Sequence, residues 1–313
     1  MIYLEIKGRL GNQFFRYAFA RVLQVKRGDK DKLVLGLSNM NGKSKNDGWV
    51  NSLSDFNVVP YDISEKRLVY KFGTLFQKIC DSLFFIDLRI FARNDRVKRI
   101  SHARKWLMFL AKIGLIHMVE EYYDIPIPLT NNVFIDGGFQ CSKYFNDIRP
   151  LLLQEFTPKH ELLPENAELF EKIVNSNSVC ISIRRGDYVS VAEYNRIYNI
   201  CSKEYFEQAV EIMKKKVNNP VFVVFSDDIQ WAKENLKFSD KIYFERGCDP
   251  LWEKVRLMSS CKHFIISNSS FSWMVQYLGN YKNKIVISPD KWYNSSVYPS
   301  YLIESSFIQI KVY

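Results

Sequence analysis

Apolar and polar positions along the second half of this 313-residue chain switch between two regular spacings. Val179-Cys180-Ile181-Ser182-Ile183 predicts a strand, and residues 203–216 place Tyr205, Phe206, Ala209, Ile212 and Met213 at helical spacing. Val221 to Phe225 is a continuous apolar run, as expected for a strand buried on both faces of a parallel sheet. A helix over Ile229 to Leu236 follows, then a strand over Ile242-Tyr243-Phe244. Asp249-Pro250 predicts the next helix start, with Asp as N-cap. A strand over Phe264-Ile265-Ile266, a helix over 271–278 and a fifth strand over Ile285-Val286-Ile287 complete the series. This alternation predicts a doubly wound α/β domain.

The first half opens the same way: a strand over Ile2 to Ile6, a loop over Lys7 to Asn12, a helix over Gln13 to Val25 and a strand over Leu33-Val34-Leu35. The pattern then blurs until Val133-Phe134-Ile135, a strand followed by Asp136-Gly137-Gly138. Prolines bracket a polar stretch near Phe156 to Pro164, so two domains are expected, 1–157 and 158–313, the first with a variable helical insert at about 70–130. Hydrophobic residues make up 47% of the chain, enough for a core in each half.

Charge and cysteines narrow the picture. No run approaches the ~20 apolar residues of a membrane span, and Met1 to Ile6 lacks the features of a signal peptide, so a cytoplasmic protein is expected. The six cysteines form no C-x-x-C pair and are expected to be reduced and structural, without a metal site. Asp29-Lys30-Asp31 has Asp-x-Asp spacing but precedes its strand, and is expected to be a solvated turn. Gly36 to Ser44 has the wrong glycine spacing for a P-loop. The net charge of +10 suits anionic partners. Nucleic acid is not expected, because no zinc finger, RNA-binding signature or basic tail is present. Within 93–118, Arg93, Arg96, Lys98, Arg99, Arg104, Lys105 and Lys112 are interleaved with Trp106, Leu107, Phe109, Leu110, Ile113 and Ile116. This is either a basic amphipathic helix for an anionic membrane surface or a core-packed helix with solvated basic heads.

Ligands of doubly wound sheets bind beyond the carboxyl ends of the strands, and three strands carry polar residues there. The first ends Ser182-Ile183-Arg184-Arg185-Gly186-Asp187-Tyr188. Ser182 and Arg184 share one side of an ideal strand, and a guanidinium offers two parallel donors to a phosphate. Pairing of Arg184 and Arg185 with carboxylates such as Asp187 is the alternative. The second ends Ser226-Asp227-Asp228: one aspartate is expected to cap the following helix and the other to receive a purine edge or ribose hydroxyls. The third runs Ser267-Asn268-Ser269-Ser270-Phe271 into a helix, whose first N–H groups suit phosphate. In the first half, Gly8-Arg9-Leu10-Gly11-Asn12-Gln13 has the same strand, turn, helix form without the full dinucleotide fingerprint.

Four blocks in order resemble the family-11 glycosyltransferases, the α-1,2-fucosyltransferases: Gly8 to Ala20, Ile183 to Tyr188, Phe225 to Trp231, and Leu257 to Trp273. Residues 40–130 match poorly, where acceptor recognition varies. The resemblance implies a GT-B-like fold of two Rossmann-type domains facing across a cleft, with the acceptor on the N-terminal side. It implies GDP-fucose as donor, inversion at the anomeric carbon and no metal cofactor. Arg184 matches the arginine on the β-phosphate, Asp227 or Asp228 the guanine-binding acid, and Asn268, Ser269, Ser270 and Phe271 the phosphate loop. Arg9, Asn12 and Gln13 match the loop facing the transferred sugar. Arg185 flanks the donor, and Ser182 stands where the family has a histidine near the guanine. Met274 replaces a frequent tryptophan.

The expected reaction is therefore transfer of L-fucose to a hydroxyl, the 2-OH of galactose, of an oligosaccharide or lipid-linked glycan, as in polysaccharide biosynthesis. Arg184, with the amides of Ser269 and Ser270, stabilises the leaving diphosphate. Asn12 and Asp187 complete the expected catalytic set, with Asp187 or Glu193 as the possible base. The rival readings are a non-catalytic nucleotide-sugar or glycan binder on the same fold and a transferase using another sugar nucleotide. Contact with the inner face of a membrane through 93–118 is a further expectation.

Overall fold

The computed structural model describes residues 1–40, 49–91, 95–118, 122–236, 241–295 and 300–312. Residues 41–44 of the P-loop-like stretch and Arg93 therefore lie outside the described residues. The chain forms two compact units, Met1–Glu155 and Phe156–Tyr313. The sequence pattern places this boundary two residues later.

Unit 1 runs β1 (Ile2–Glu5), α1 (Leu10–Lys26), β2 (Leu33–Gly36), β3 (Tyr61–Ser64), α2 (Leu68–Phe72), α3 (Leu75–Phe91), α4 (Arg96–Lys112), β4 (Leu115–Met118), β5 (Val133–Gly137) and α5 (Arg149–Glu155). Its sheet has the order β3-β2-β1-β5-β4, with every pair parallel. The chain winds outward from β1 through β2 to β3 and resumes on the other side, so the winding reverses between β1 and β5. Every residue of β1 and β2 is buried, including the charged Glu5 at the end of β1.

The segment at about 70–130 is not an insert. Helices α2 to α4 form the crossover from β3 to β4, and β4 completes the sheet. Cys80, Phe84, Leu88, Ala103 and Leu110 pack with Tyr3, Val34, Leu115 and Phe134 in one core. Helix α4 thus has the core-packed face of the second alternative, with Leu107 and Ala111 also buried. The charged turn at 29–31 is ion-paired: Asp31 meets the N-terminal amine at 2.7 Å and Arg27 at 2.5 Å, and Asp29 meets Arg21.

Unit 2 runs α6 (Ala167–Asn175), β6 (Asn177–Ile183), α7 (Gly186–Ser190), α8 (Ala192–Tyr198), α9 (Lys203–Lys216), β7 (Pro220–Ser226), α10 (Ile229–Asn235), β8 (Ile242–Phe244), α11 (Leu251–Ser259), β9 (His263–Ile266), α12 (Ser270–Leu278), β10 (Val286–Pro289) and β11 (Ile308–Ile310). The all-parallel order is β11-β10-β9-β6-β7-β8. The winding reverses between β6 and β9. The helix at 251 is capped by Pro250 rather than Asp249, whose buried carboxylate accepts from Asn166 at 3.0 Å. The sixth strand, β11, is short and follows a polar stretch that carries no strand pattern.

All six cysteines are thiols, five of them buried. Burial, then the neighbouring Cys261 thiol, raises the Cys180 pKa. Among the described residues no helix is long and apolar enough to cross a membrane, and no cluster of His, Cys, Asp or Glu is suited to a metal ion.

Candidate active site

Strands β9, β6 and β7 are neighbours, so the three polar strand ends converge at the carboxyl edge of unit 2. Arg184 follows β6 and Asn268 follows β9, on either side of the winding reversal. A crevice opens at such a point because adjacent crossovers leave on opposite faces.

Both arginines are ion-paired, the alternative left open by the sequence. Arg184 meets Asp187 at 2.5 Å through Nη2 and Asp227 at 2.8 Å through Nη1. Burial opposes its charge, but Asp227 and then Asp187 more than offset this, and its pKa is raised. These two contacts use two of the five N–H groups of a guanidinium. Arg185 stacks on Trp231, 3.9 Å from the ring centroid, and meets Asp228 at 3.3 Å. A guanidinium between an aromatic face and a carboxylate is fixed in plane.

The aspartates divide their work in part as expected. Asp228 caps α10, accepting from the Trp231 N–H at 3.2 Å. Asp227 is not left open for ligand: its Oδ1 accepts from the Arg185 N–H at 2.8 Å and its Oδ2 faces Arg184. Gly186 makes this approach possible, because a Cβ there would lie 2.5 Å from Asp227 Oδ2.

Three other expected ligand groups are architectural. Ser182 is 4% exposed and its hydroxyl pairs with Ser272 at 2.7 Å, beneath the first turn of α12. The strand ends at Ile183 and the chain turns at Arg185, so strand parity does not carry Ser182 to the surface shared by Arg184. Asn268, 1% exposed, donates to the carbonyls of Tyr198 and Trp292, both at 2.9 Å, and locks the turn. Ser269 is the N-cap residue of α12, and its own N–H donates to Ser267 O at 2.8 Å. The N–H groups of the first helical turn, Ser270 to Ser272, lack intrahelical acceptors by geometry. The amides open to an outside acceptor therefore start one residue later than the Ser269–Ser270 pair expected. Ser270 and Phe271 are half-buried at the mouth of this turn.

Aromatic residues close one side of the site. Tyr188 stacks on Tyr198 with centroids 5.0 Å apart, and its hydroxyl donates to Asn268 O at 3.2 Å. Desolvation raises its pKa. Cys201 lies against Asn268, and burial pushes its thiol up to about 12, keeping it protonated. Glu193 is exposed on α8.

In unit 1, Gly8 has φ +84° and lets the chain turn from β1 into α1; a Cβ there would also lie 2.5 Å from Asn12 Nδ2. The helix begins at Leu10, so Asn12 and Gln13 sit in its first turn, not in a loop. Arg9 is the half-buried N-cap residue. Asn12 accepts from Gln140 at 2.7 Å. Gln13 is a correction: fully buried, it donates to Gly8 O and Val50 O and accepts from the Ser52 N–H. Its amide holds the segment at 50–52 and does not face a ligand.

Three charged residues at the winding reversal of unit 1 were not singled out by the sequence pattern. Arg16 donates to Glu5 O at 2.7 Å and to Asp136 at 3.2 Å, tying the carboxyl ends of β1 and β5 together. Burial opposes the Asp136 charge, but Arg16 and then His117 hold its pKa below the ordinary value. Burial raises that of Glu5, although the Leu68 N–H donates to its carboxylate at 2.7 Å. The signal for Asp136 was its place before Gly137-Gly138 at a strand end.

Comparison with known proteins agrees with this architecture. Residues 1–308 match the model of glycosyl transferase family 11. An alpha-1,2-colitosyltransferase of Escherichia coli is 31% identical over 302 residues, covering 94% of this chain and 92% of that one. A galactoside 2-alpha-L-fucosyltransferase, Sec1 of Mus musculus, is 26% identical over 89% of this chain and 64% of its own. In fold, the chain is similar to the fucosyltransferase NodZ from Bradyrhizobium, with a TM-score of 0.52, 13% identity and coverage of 88% of this chain and 91% of that one. Two parallel α/β sheets, polar strand ends at both winding reversals and a family match over nearly the whole length together place this chain in glycosyl transferase family 11.

Proposed function

We propose that this family-11 enzyme transfers L-fucose from GDP-fucose to the 2-OH of a galactose in a glycan acceptor, with inversion and without a metal ion. The observation that carries the reading is the arrangement in unit 2: two arginines after β6 beside the amide-bearing first turn of α12 after β9, flanking one winding reversal. A guanidinium and the first amides of a helix are both anion-binding devices, and a diphosphate offers an anion to each.

The mechanism follows from charge. As the C1–O bond of the sugar breaks and the acceptor oxygen bonds to C1 from the opposite face, the bond electrons go to the β-phosphate oxygen, where negative charge grows, and the acceptor's hydroxyl proton is released to solvent. Arg184 and the amides of Ser270 to Ser272 are donors fixed in advance for that charge. Asp187 and Asp227 hold the guanidinium in place, so we assign Asp187 to positioning Arg184 rather than to accepting a proton. Asp227 turns to the guanine edge as the diphosphate takes its place on Arg184. Asp228, fixed as a helix cap, keeps Arg185 over Trp231.

The relatives support a 1,2-linkage, and one of them favours a second reading of the donor. A chain 31% identical is named for a colitosyl transfer, so a colitosyl nucleotide is the alternative to GDP-fucose. Incubation with each nucleotide and a galactose-terminated acceptor, with the product linkage solved by NMR, tests both. Fucosyl product with a 1,2-linkage, formed at an unchanged rate in EDTA, is expected. Nucleotide binding without product would reduce the chain to a binder.

A further inference from the structure

Helix α3 is apolar on two sides, but only one is covered. Its inward side, with Cys80, Phe84 and Leu88, joins the core of unit 1. On the other side Phe76, Ile79, Leu83, Ile86 and Ile90 are each 47–65% exposed. Their spacing puts them on one stripe running most of the length of the helix. A helix that is hydrophobic all round is ordinarily buried all round, and a continuous apolar stripe on a surface marks something that covers it.

The charge beside the stripe says what. Helix α4 packs along α3: His102 stacks on Phe91 at 5.6 Å, and Trp106 donates to Asp87 at 3.1 Å. Lys98, His102, Lys105, Phe109 and Lys112 recur at spacings of four and three, so the three lysines share the side of α4 that reaches α3. All three are exposed, as is Phe109. Lys78 and Arg89 follow the opposite flank of the α3 stripe. Over residues 75–112 there are nine Lys and Arg against three Asp. None of those aspartates opposes the basic flanks: Asp81 is fully buried against Arg67, Asp87 lies against His102, and Asp95 caps α4.

We infer that the outer face of the α3–α4 hairpin docks on an anionic lipid bilayer, with the α3 stripe in the headgroup–acyl boundary and the lysines against the headgroups. An apolar stripe between two basic flanks is the arrangement by which interfacial helices gain both apolar burial and attraction to anionic lipid. A second copy of the chain fits less well, because the basic flanks would oppose each other. The sequence points to 93–118; the structure places the apolar half of the device on α3 and leaves the basic half on α4.

The test is flotation of the full-length protein with vesicles of phosphatidylcholine and phosphatidylglycerol, and with phosphatidylcholine alone. The wild type should float with the anionic vesicles only and be released by salt. The variant Leu83→Glu/Ile86→Glu should stay in solution. Reversal of the lysines, Lys98→Glu/Lys105→Glu/Lys112→Glu, should lower partitioning on the order of 100-fold. Both variants should retain wild-type turnover on a soluble acceptor, which reports folding. If a variant fails to fold, the wild-type comparison of the two vesicle types at low and high salt decides alone. Equal flotation of wild type and lysine variant, no flotation of the wild type, or a dimer by light scattering that Leu83→Glu/Ile86→Glu splits would each overturn the inference.

Discussion

In the proposed reaction Arg184 is the residue on which donor binding turns, and its two carboxylate partners define what its loss should do. Removing an oriented donor to a developing oxyanion costs roughly 3–4 kcal/mol of transition-state stabilisation. Arg184→Ala should therefore lower kcat by about 100-fold or more, and should also lower the melting temperature, because the side chain is only 21% exposed and its loss leaves Asp187 and Asp227 without their counter-charge. Single-turnover kinetics beside a thermal melt checks both parts. Gly186 gives a subtler handle. In Gly186→Ala the new methyl group meets Asp227 Oδ2 and moves the carboxylate away from Arg184. With that carboxylate no longer on Arg184, orthophosphate should inhibit the variant more strongly than the wild type while acceptor KM and melting temperature hold, as initial rates with added phosphate can show.

At the scale of single elements, most strands of unit 2 were legible in the sequence because they are buried on both faces and rich in apolar residues, the run Val221 to Phe225 of β7 above all. β3 was not, since Asp62 and Ile63 at that edge are exposed. α3 was not marked out as a helix of its own, and α4 was left between a surface-lying helix and a core-packed one, because exposed apolar positions and basic residues blur their periodicity. The site was legible as a set of strand ends but not in its internal contacts. Spacing cannot tell that Gln13 points inward or that Ser182 pairs with Ser272, because both depend on partners distant in sequence. The pairing of β9 with β10 carries its own prediction. His263 accepts from the Ile285 N–H at 3.2 Å, and burial, then Lys262, lowers its pKa from 6.5. The unfolded imidazole thus binds protons more readily than the folded one, so stability should fall as pH drops from about 6.5 through the lowered folded value. The variant His263→Asn, which does not titrate there, should flatten that part of a melting-temperature profile against pH.

For the molecule as a whole, each unit has its own sheet and its own core, and no strand is shared. Two cooperative transitions are therefore expected in calorimetry, and GDP should shift only the one belonging to Phe156–Tyr313, by about 2.7 kcal/mol of stability at a hundredfold excess over Kd. A shift of both transitions together would mean that GDP contacts, or couples, the two halves. The carboxylates on Arg184 have one more consequence, for the crowded ionic milieu of a cell. Counting Arg184 and Arg185 against Asp187, Asp227 and Asp228, the formal charge of the cluster is negative by one. Small anions such as orthophosphate or sulfate meet a guarded guanidinium and should inhibit poorly. In the proposed reaction a ligand that gives the displaced aspartate a new hydrogen-bond donor, such as a purine edge, should open the guard.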